Sequence, residues 1–300
     1  MTGARVSIVV PHYGDPRPTG RLLDALRAQT AADRTEVIVV DDRSPEPFPE
    51  TEGVTVVRRE HNGGFGAAVN SGAALATEPL LMVLNSDLEV SETFVADFVS
   101  AASPWLPAVV SPRVVGQDGS PLWTGRHFPR VRHQAVEWLV PLARHRHRRI
   151  LHEWVGHDTS VRVDASATVD WVVGAALLLP TDDFRAVGGF DERFFMNSEE
   201  IDLQRRLRER GLPSVVLPEP SVVHEVGGSS DPLRRRAWLV RSRLDYADKW
   251  GSRRRLQLAL LAATAVNLCW NAGRRALGRP VHPLSDAREE AALLTQRTAR

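Results

Sequence analysis

The chain has 300 residues, 43% apolar and 25% charged, the make-up of a soluble globular protein with one large domain plus an appendage. A single cysteine, Cys269, excludes an internal disulfide framework, and no basic, apolar and small-residue leader precedes the first apolar run, so the expected location is the cytoplasm. The net charge of +1 hides an asymmetry: residues 234–300 hold fifteen Arg or Lys against five acids, +10, which leaves −9 for the rest. A basic tail meets nucleic acid, anionic lipid or solvent. With no recognition-helix, zinc-finger or aromatic-platform signature, nucleic acid is not an expected partner.

Arg5–Pro11 (RVSIVVP) and Glu36–Val40 (EVIVV) are continuous β-branched runs, and Thr19–Thr30 between them has helical amphipathicity, which predicts a β-α-β unit. Val54–Arg58 reads as a third strand, Phe65–Ala76 as a helix after a glycine turn, and Leu80–Leu84 as a fourth strand ending at Asn85-Ser86-Asp87. Strands alternating with helices imply a mostly parallel sheet, whose ligands gather outside the carboxyl ends of the strands. His12 to Gly14, Asp41 and Asp42, Asn62 to Gly66, and Asn85 to Asp87 all fall at those ends.

Residues 112–168 lose this regularity and read as a variable insertion. Its histidines, His145, His147, His152 and His157, show no ligand spacing beside carboxylates or cysteines, and segment 143–157 is expected to be a solvated basic loop. Order returns with a buried strand at Asp170–Pro180, an acidic helix within 194–211, a strand at Ser214–Leu217 and a loop holding His224. Beyond about 235 only helices are predicted. The apolar stretch 256–270 is about fifteen residues, short of the roughly twenty that span a bilayer. Arginines flank it and Trp270 ends it, so two readings stand: an interfacial helix on anionic lipid, or a helix packed on the main domain or on a second copy in a homodimer.

Each chemical candidate has a plain structural alternative. Glu199, Glu200 and Asp202 crowd the first turns of a helix, a place for a catalytic base and equally the usual home of acids at a positive dipole end. Asp41 and Asp42 end a strand where a carboxylate accepts the imide N–H of uracil or thymine; Asp-Asp-x-Ser-Pro is also good turn chemistry. Asn85, Ser86 and Asp87 offer oxygen ligands for a hard divalent ion, or a strand-ending turn. Asn62-Gly63-Gly64-Phe65-Gly66, followed by Asn70, lets backbone approach a nucleotide or sugar, but lacks both GxGxxG spacing and a Walker lysine. His224, with two glycines and two serines behind it, suits a loop that folds over a ligand or an ordinary polar loop.

Taken in order, VSIVVPHYG, VIVVDDRS, NGGFGAAVNSG, LNSD, GGFDERFFMNSEEIDLQRRLRERG and His224 resemble the inverting glycosyltransferases of family 2, with the GT-A fold, over residues 5–228. The Asn-x-Asp variant and the HxxGxS-like loop look most like bacterial rhamnosyltransferase-type members that build cell-wall or surface polysaccharide. The resemblance implies a GT-A domain at 1–235, a mostly parallel Rossmann-like sheet flanked by helices, and a basic helical extension at 236–300 that is membrane-associated or dimerising.

It also implies that Pro11, Tyr13 and Asp42 line the nucleotide pocket, with Asn62, Gly64, Asn70 and Ser86 also on the donor. Asp87 matches the last acid of the DxD motif, which holds Mg2+ or Mn2+. Asn85 takes the first acid's position and removes one negative charge, while His224 falls where some members supply a further metal ligand. Glu200 matches the acid that serves as base, with Glu199 and Asp202 as its neighbours. The expected activity moves a sugar, rhamnose from dTDP-rhamnose before other dTDP- or UDP-sugars, to a glycan or lipid-linked acceptor at the inner membrane face. A catalytically inactive GT-A domain that binds glycan or scaffolds other enzymes remains the rival. A nucleotidyltransferase would want a glycine- and arginine-rich first loop and a lysine on the triphosphate, whereas that loop reads HYGDPRPTGR and the one lysine is Lys249.

Overall fold

The computed structural model describes residues 4–224 and 232–295. In chain order the elements are β1 (Val6–His12), α1 (Pro16–Arg27), β2 (Thr35–Asp41), β3 (Thr55–Arg58), α2 (Phe65–Leu75), β4 (Leu80–Leu84), β5 (Leu88–Glu89), α3 (Phe94–Ala102), β6 (Val109–Val115) and β7 (Gly125–Arg126). They continue with α4 (Val131–Trp138), α5 (Val140–Ala143), α6 (Arg149–Trp154), β8 (Ala167–Val169), β9 (Trp171–Val172), β10 (Ala176–Pro180), α7 (Thr181–Ala186), α8 (Glu199–Glu209) and β11 (Ser214–His224). Helices α9 (Pro232–Trp250), α10 (Arg253–Ala276) and α11 (Pro283–Thr295) end the described chain. Two compact units result: residues 1–126 with 160–231, and residues 127–159 with 232–300. The sequence suggested units of 1–235 and 236–300; the fold groups part of the central insertion with the tail.

The first unit is a mixed sheet of nine strands in the order β3-β2-β1-β4-β10-β6-β11-β5, with β8 beside β11. β3, β2, β1 and β4 pair in parallel, as do β6 and β11, while β10, β5 and β8 run the opposite way. β1 is apolar without alternation because both of its faces are covered. Val6, Ile8 and Val10 meet Leu22, Leu23 and Leu26 of α1 on one side, and Val9 meets Ala68, Val69 and Ala73 of α2 on the other. α2 lies close against the sheet, for a Cβ on Gly72 would come within 2.5 Å of Val9 Cγ1. The register pairs His12 with Asp41, so the residues after β1 and β2 emerge at one carboxyl edge, where β4 also ends.

Two expectations about the strands change. The single strand expected at 170–180 is two, β9 and β10, and β10 runs antiparallel to β4. Its apolar run records burial on both faces but not direction. His224 is the last residue of β11, which extends through Ser214–His224, rather than part of a loop. The HxxGxS-like loop itself, 225–231, lies outside the described residues.

The second unit packs Val240, Leu244, Leu256, Leu260 and Leu294 into its own core, with Val131 and Trp138 of α4 against it. Trp138 Nε1 donates to Thr264 Oγ1 (2.9 Å) and Glu290 Oε2 (3.1 Å), and the Asn267 amide brackets the Trp138 carbonyl and the Val140 N–H. These bonds dock the insertion on the tail helices. The apolar stretch expected to be too short for a membrane lies in a 24-residue helix, long and apolar enough by length and composition to cross one; its most apolar 18-residue window has a mean hydropathy of 1.2 and is one-third buried. Segment 143–157, expected to be a solvated loop, contains α6, and Leu151 there is buried.

Candidate active site

Asn85, Asp87 and His224, separated by about 140 residues, come together at the carboxyl edge. His224 Nε2 lies 3.2 Å from Asp87 Oδ1 and 3.3 Å from Asn85 Nδ2. Strand pairing produces this: β11 carries His224 opposite Leu88 of β5, immediately after Asp87, and the Asn85 N–H donates to the Ala175 carbonyl at 2.8 Å. The Asn85 Oδ1 is buried without a hydrogen-bond partner. A buried amide oxygen left over beside an imidazole and a carboxylate suits a hard divalent ion, because amide and carboxylate oxygens with imidazole nitrogen form a mixed donor set for Mg2+ or Mn2+. Ser86 sits between the two in the turn after β4.

The glycine turn is organised by Asp42. Its Oδ1 accepts from Arg59 Nη1 (2.5 Å) and the Gly63 N–H (3.0 Å), and its Oδ2 from the Gly64 N–H (2.7 Å). The Asn62 side chain also accepts from the Gly64 N–H, at 3.2 Å. Asp41 is held by Ser44, Phe48 and Arg58; burial pushes its carboxyl up, but the hydrogen bonds from Ser44 and Phe48 and the Arg58 charge outweigh this and keep it below its usual value. Sequence reasoning missed Arg58 and Arg59, although they end and follow β3 at the carboxyl edge beside two aspartates. Pro11 is buried within β1 against Val40, while Tyr13 stands 47% exposed just beyond it. His12 is buried with Nδ1 2.8 Å from Thr19 Oγ1, and burial lowers its pKa.

Gly64, at φ +86°, leaves no room for a side chain: a Cβ there would overlap the Phe195 carbonyl oxygen. This close approach seats the glycine turn against the segment that leads into α8. Gly66 faces Phe190 and the Cβ of Glu199 in the same way. Asn70, expected on the donor, has its amide engaged at both ends with Phe190, accepting from the N–H (2.8 Å) and donating to the carbonyl (2.9 Å). Its recorded bonds tie α2 to the loop before the acidic helix.

α8 begins after Asn197 and Ser198, two consecutive non-glycine residues at φ 68° and 69°. Such backbone costs of order 1–3 kcal/mol per residue and persists where the surroundings demand it. It turns the chain so that Glu199 and Glu200 enter the interior. Glu199 is 4% exposed, and the Oε2 atoms of both glutamates are shielded without a hydrogen-bond partner. Burial, then the neighbouring Glu200 charge, pushes Glu199 well above the usual carboxyl range; burial raises Glu200 too, opposed by helix N–H groups and Arg126. The Glu200 side chain lies over Gly174, whose added Cβ would sit 3.3 Å from the Glu200 Cβ. Gly174 precedes Ala175, the residue bonded to Asn85, so one short segment links the glutamate to the Asn85–Asp87–His224 group. A glycine inside an apolar strand pattern was the sequence signal for that approach.

Asp202 faces elsewhere. It is fully buried and accepts from Arg206 Nε at 2.8 Å, while Arg206 also donates to the Val187 and Gly189 carbonyls at 2.7 Å. Its carboxylate supports the helix and the preceding loop. A separate cavity of about 270 Å³, lined by Val6, Thr35, Val95 and Val99, lies at the opposite end of β1 and β2 from these residues.

A Rossmann-like half-sheet joined to a mixed half, with an Asn-x-Asp turn and a buried acidic helix start at the carboxyl edge, defines a glycosyltransferase of the GT-A fold. Residues 7–161, just over half of the chain, match the Glycosyl transferase family 2 model, and the chain belongs to that family. It is 28% identical over 212 residues to the N-acetylglucosaminyl-diphospho-decaprenol L-rhamnosyltransferase of Mycobacterium tuberculosis, covering 65% of this chain and 67% of the relative. It is 27% identical over 237 residues to the O-antigen biosynthesis protein RfbC of Myxococcus xanthus, covering 75% of this chain but only 18% of that protein. Among solved structures, the mannosyltransferase PcManGT of Pyrobaculum calidifontis, in complex with GDP-Man and Mn2+, shares the fold with a TM-score of 0.57 at 16% identity, over 97% of this chain and 85% of that one.

Proposed function

We propose that this glycosyltransferase moves rhamnose from dTDP-rhamnose to a glycan or lipid-linked acceptor with inversion, using Glu200 as the base. The observation that carries the reading is the 3.2 Å approach of His224 to Asp87 beside the orphaned Asn85 oxygen. In a single displacement the acceptor oxygen bonds to the anomeric carbon as the bond to the donor diphosphate breaks. Glu200 takes the acceptor hydroxyl proton on the face opposite the departing group. Asp42 and the Gly63 and Gly64 amides hold the turn that borders the donor, and Pro11 and Tyr13 lie at the same edge. When bound by Asp87, His224 and Asn85, a magnesium or manganese ion would supply positive charge against the leaving diphosphate. The Mycobacterium tuberculosis relative's name, a rhamnosyltransferase on a decaprenol diphosphate, supports the sugar and the lipid-linked acceptor, and the Mn2+ of PcManGT supports the ion.

The same reading places the protein on the inner face of an anionic membrane. On α10, Leu258, Val266 and Trp270 are exposed, and Arg254 and Arg255 precede and Arg275 follows them. By sequence the second unit carries 21 Arg or Lys against 8 acids, and so offers a basic surface around an apolar stripe.

Nucleotide release from dTDP-, UDP- and GDP-sugars, each with and without Mn2+, tests the enzyme directly. dTDP-rhamnose is expected to turn over fastest, and Asp87→Ala to reduce the rate by about 100-fold or more, since metal stabilisation of leaving-group charge is worth several kcal/mol. Background release with every donor would leave the inactive GT-A domain as the reading. Sedimentation with anionic but not zwitterionic vesicles is expected for the membrane face.

A further inference from the structure

His127, Glu153 and Asp158 lie in the second unit and belong to none of the motifs above. One ligand atom from each falls within 4.8 Å of the other two. His127 Nε2 is 2.8 Å from Glu153 Oε1, and Asp158 is 8% exposed. The surrounding bonds orient these groups as metal ligands are usually oriented. Glu153 Oε2 accepts from the Thr159 N–H (3.1 Å) and hydroxyl (2.9 Å), which leaves Oε1 directed at His127. Outer-shell hydrogen bonds of this kind fix a ligating carboxylate. The backbone is fixed as well: His127 N donates to the Gly156 carbonyl (2.9 Å) and Arg149 Nη2 to the Thr159 carbonyl (2.8 Å).

The placement matters as much as the chemistry. His127 is the first residue of this unit's insertion and Thr159 the last, so the three side chains meet at its neck. Between them lie three short helices, α4, α5 and α6, of eight, four and six residues. Within 127–159 Leu151 is the one buried large apolar side chain. A segment with so little core of its own gains most from a cross-link that closes its ends, because the link removes loop entropy from the unfolded chain.

We propose that His127, Glu153 and Asp158 form a structural divalent-metal site that staples the neck of the insertion, distinct from the Asn85–Asp87–His224 group. One imidazole and two carboxylates, with water as the fourth ligand, suit Zn2+ before Mn2+ or Mg2+. A tetrahedral ion with bonds near 2.0–2.1 Å separates its ligand atoms by about 3.4 Å. Binding therefore requires the His127–Glu153 pair, at 2.8 Å, to open by roughly half an ångström. The ion takes the Nε2 lone pair of neutral His127, whose ring hydrogen then sits on Nδ1 rather than between His127 and Glu153.

The test uses the full chain, stripped by chelator and titrated with Zn2+ and with Co2+ as a visible probe. Asp87→Ala serves as the background, to remove the other candidate site. Expected are one equivalent of Zn2+, d–d absorption of four-coordinate Co2+, and a Tm rise of roughly 5 °C at saturating Zn2+. Adding Glu153→Gln, which keeps the side chain's size and its Thr159 acceptor, should weaken Zn2+ by more than 100-fold. Adding Thr159→Val should weaken it about 10–100-fold. His127→Ala should abolish the Co2+ spectrum; if that variant does not fold, Glu153→Gln decides. Zn2+ binding unchanged by Glu153→Gln, or absent up to about 1 mM in a folded chain, overturns the proposal and leaves an ion pair. Because Asp87 is already removed, neither result bears on the catalytic reading.

Discussion

Glu200→Gln is the substitution on which the catalytic reading is most exposed. Gln has the same shape, the Glu200 Oε2 has no hydrogen-bond partner to lose, and the side chain keeps its place over Gly174. What changes is the ability to accept a proton. A general base contributes about 10²–10⁴-fold, or about 2.7–5.5 kcal/mol of barrier at roughly 1.36 kcal/mol per decade. kcat is expected to fall by that factor with the donor KM little changed.

Glu199→Gln provides the control. Burial and the Glu200 charge push Glu199 well above the usual carboxyl range, and it faces Gly66, whereas Glu200 lies over Gly174 beside the residue bonded to Asn85; the reading therefore gives the base to Glu200 and leaves Glu199 as its neighbour. Replacing Glu199 by a neutral amide should then cost less than about tenfold in kcat. The acid limb of the kcat–pH profile should lie above the ordinary glutamate range, because Glu200 is raised. The stability sign follows: a carboxyl raised in the folded state contributes stability that is present below its unfolded pKa and lost as pH rises through the folded value. Glu199→Gln should therefore unfold at higher urea than the parent at alkaline pH, and the difference should vanish in acid. Native turnover by Glu200→Gln, or an equal collapse in Glu199→Gln, refutes the assignment.

Asp202→Asn should cost about 3 kcal/mol in urea unfolding, since it leaves the Arg206 guanidinium without its buried counter-charge. A loss under about 1 kcal/mol would show that the Val187 and Gly189 carbonyls satisfy the arginine alone. Gly64→Ala should cost about 2–4 kcal/mol, from the positive φ and the overlap with the Phe195 carbonyl. It should also reduce kcat by displacing the segment before α8; native stability and rate together would contradict that close packing.

What the sequence disclosed and what it withheld follow from the range of the interactions concerned. β1, β2 and β4 were legible because both faces are buried, and a continuous Val/Ile run has little alternative. The carboxyl-edge rule then brought Asp41, Asp42 and Asn85 to Asp87 to one side before any pairing was known. Direction is not written in such a run, so β10 was placed without its antiparallel sense. Asn70 follows a glycine turn, which marks it for the donor; its amide is also bonded to Phe190, 120 residues away, a pairing no local pattern encodes. The union of 127–159 with the tail depends in the same way on Trp138 reaching Thr264 and Glu290. His127, Glu153 and Asp158 match no ligand motif by spacing, since they become neighbours only when the neck of the insertion closes. Residues whose roles are set by the strand they end were readable from sequence, whereas those set by a partner chosen in the tertiary fold required coordinates. The Arg59–Asp42 pair stands between the two: each residue directly follows one of two adjacent strands, and only the register of β2 on β3 joins them.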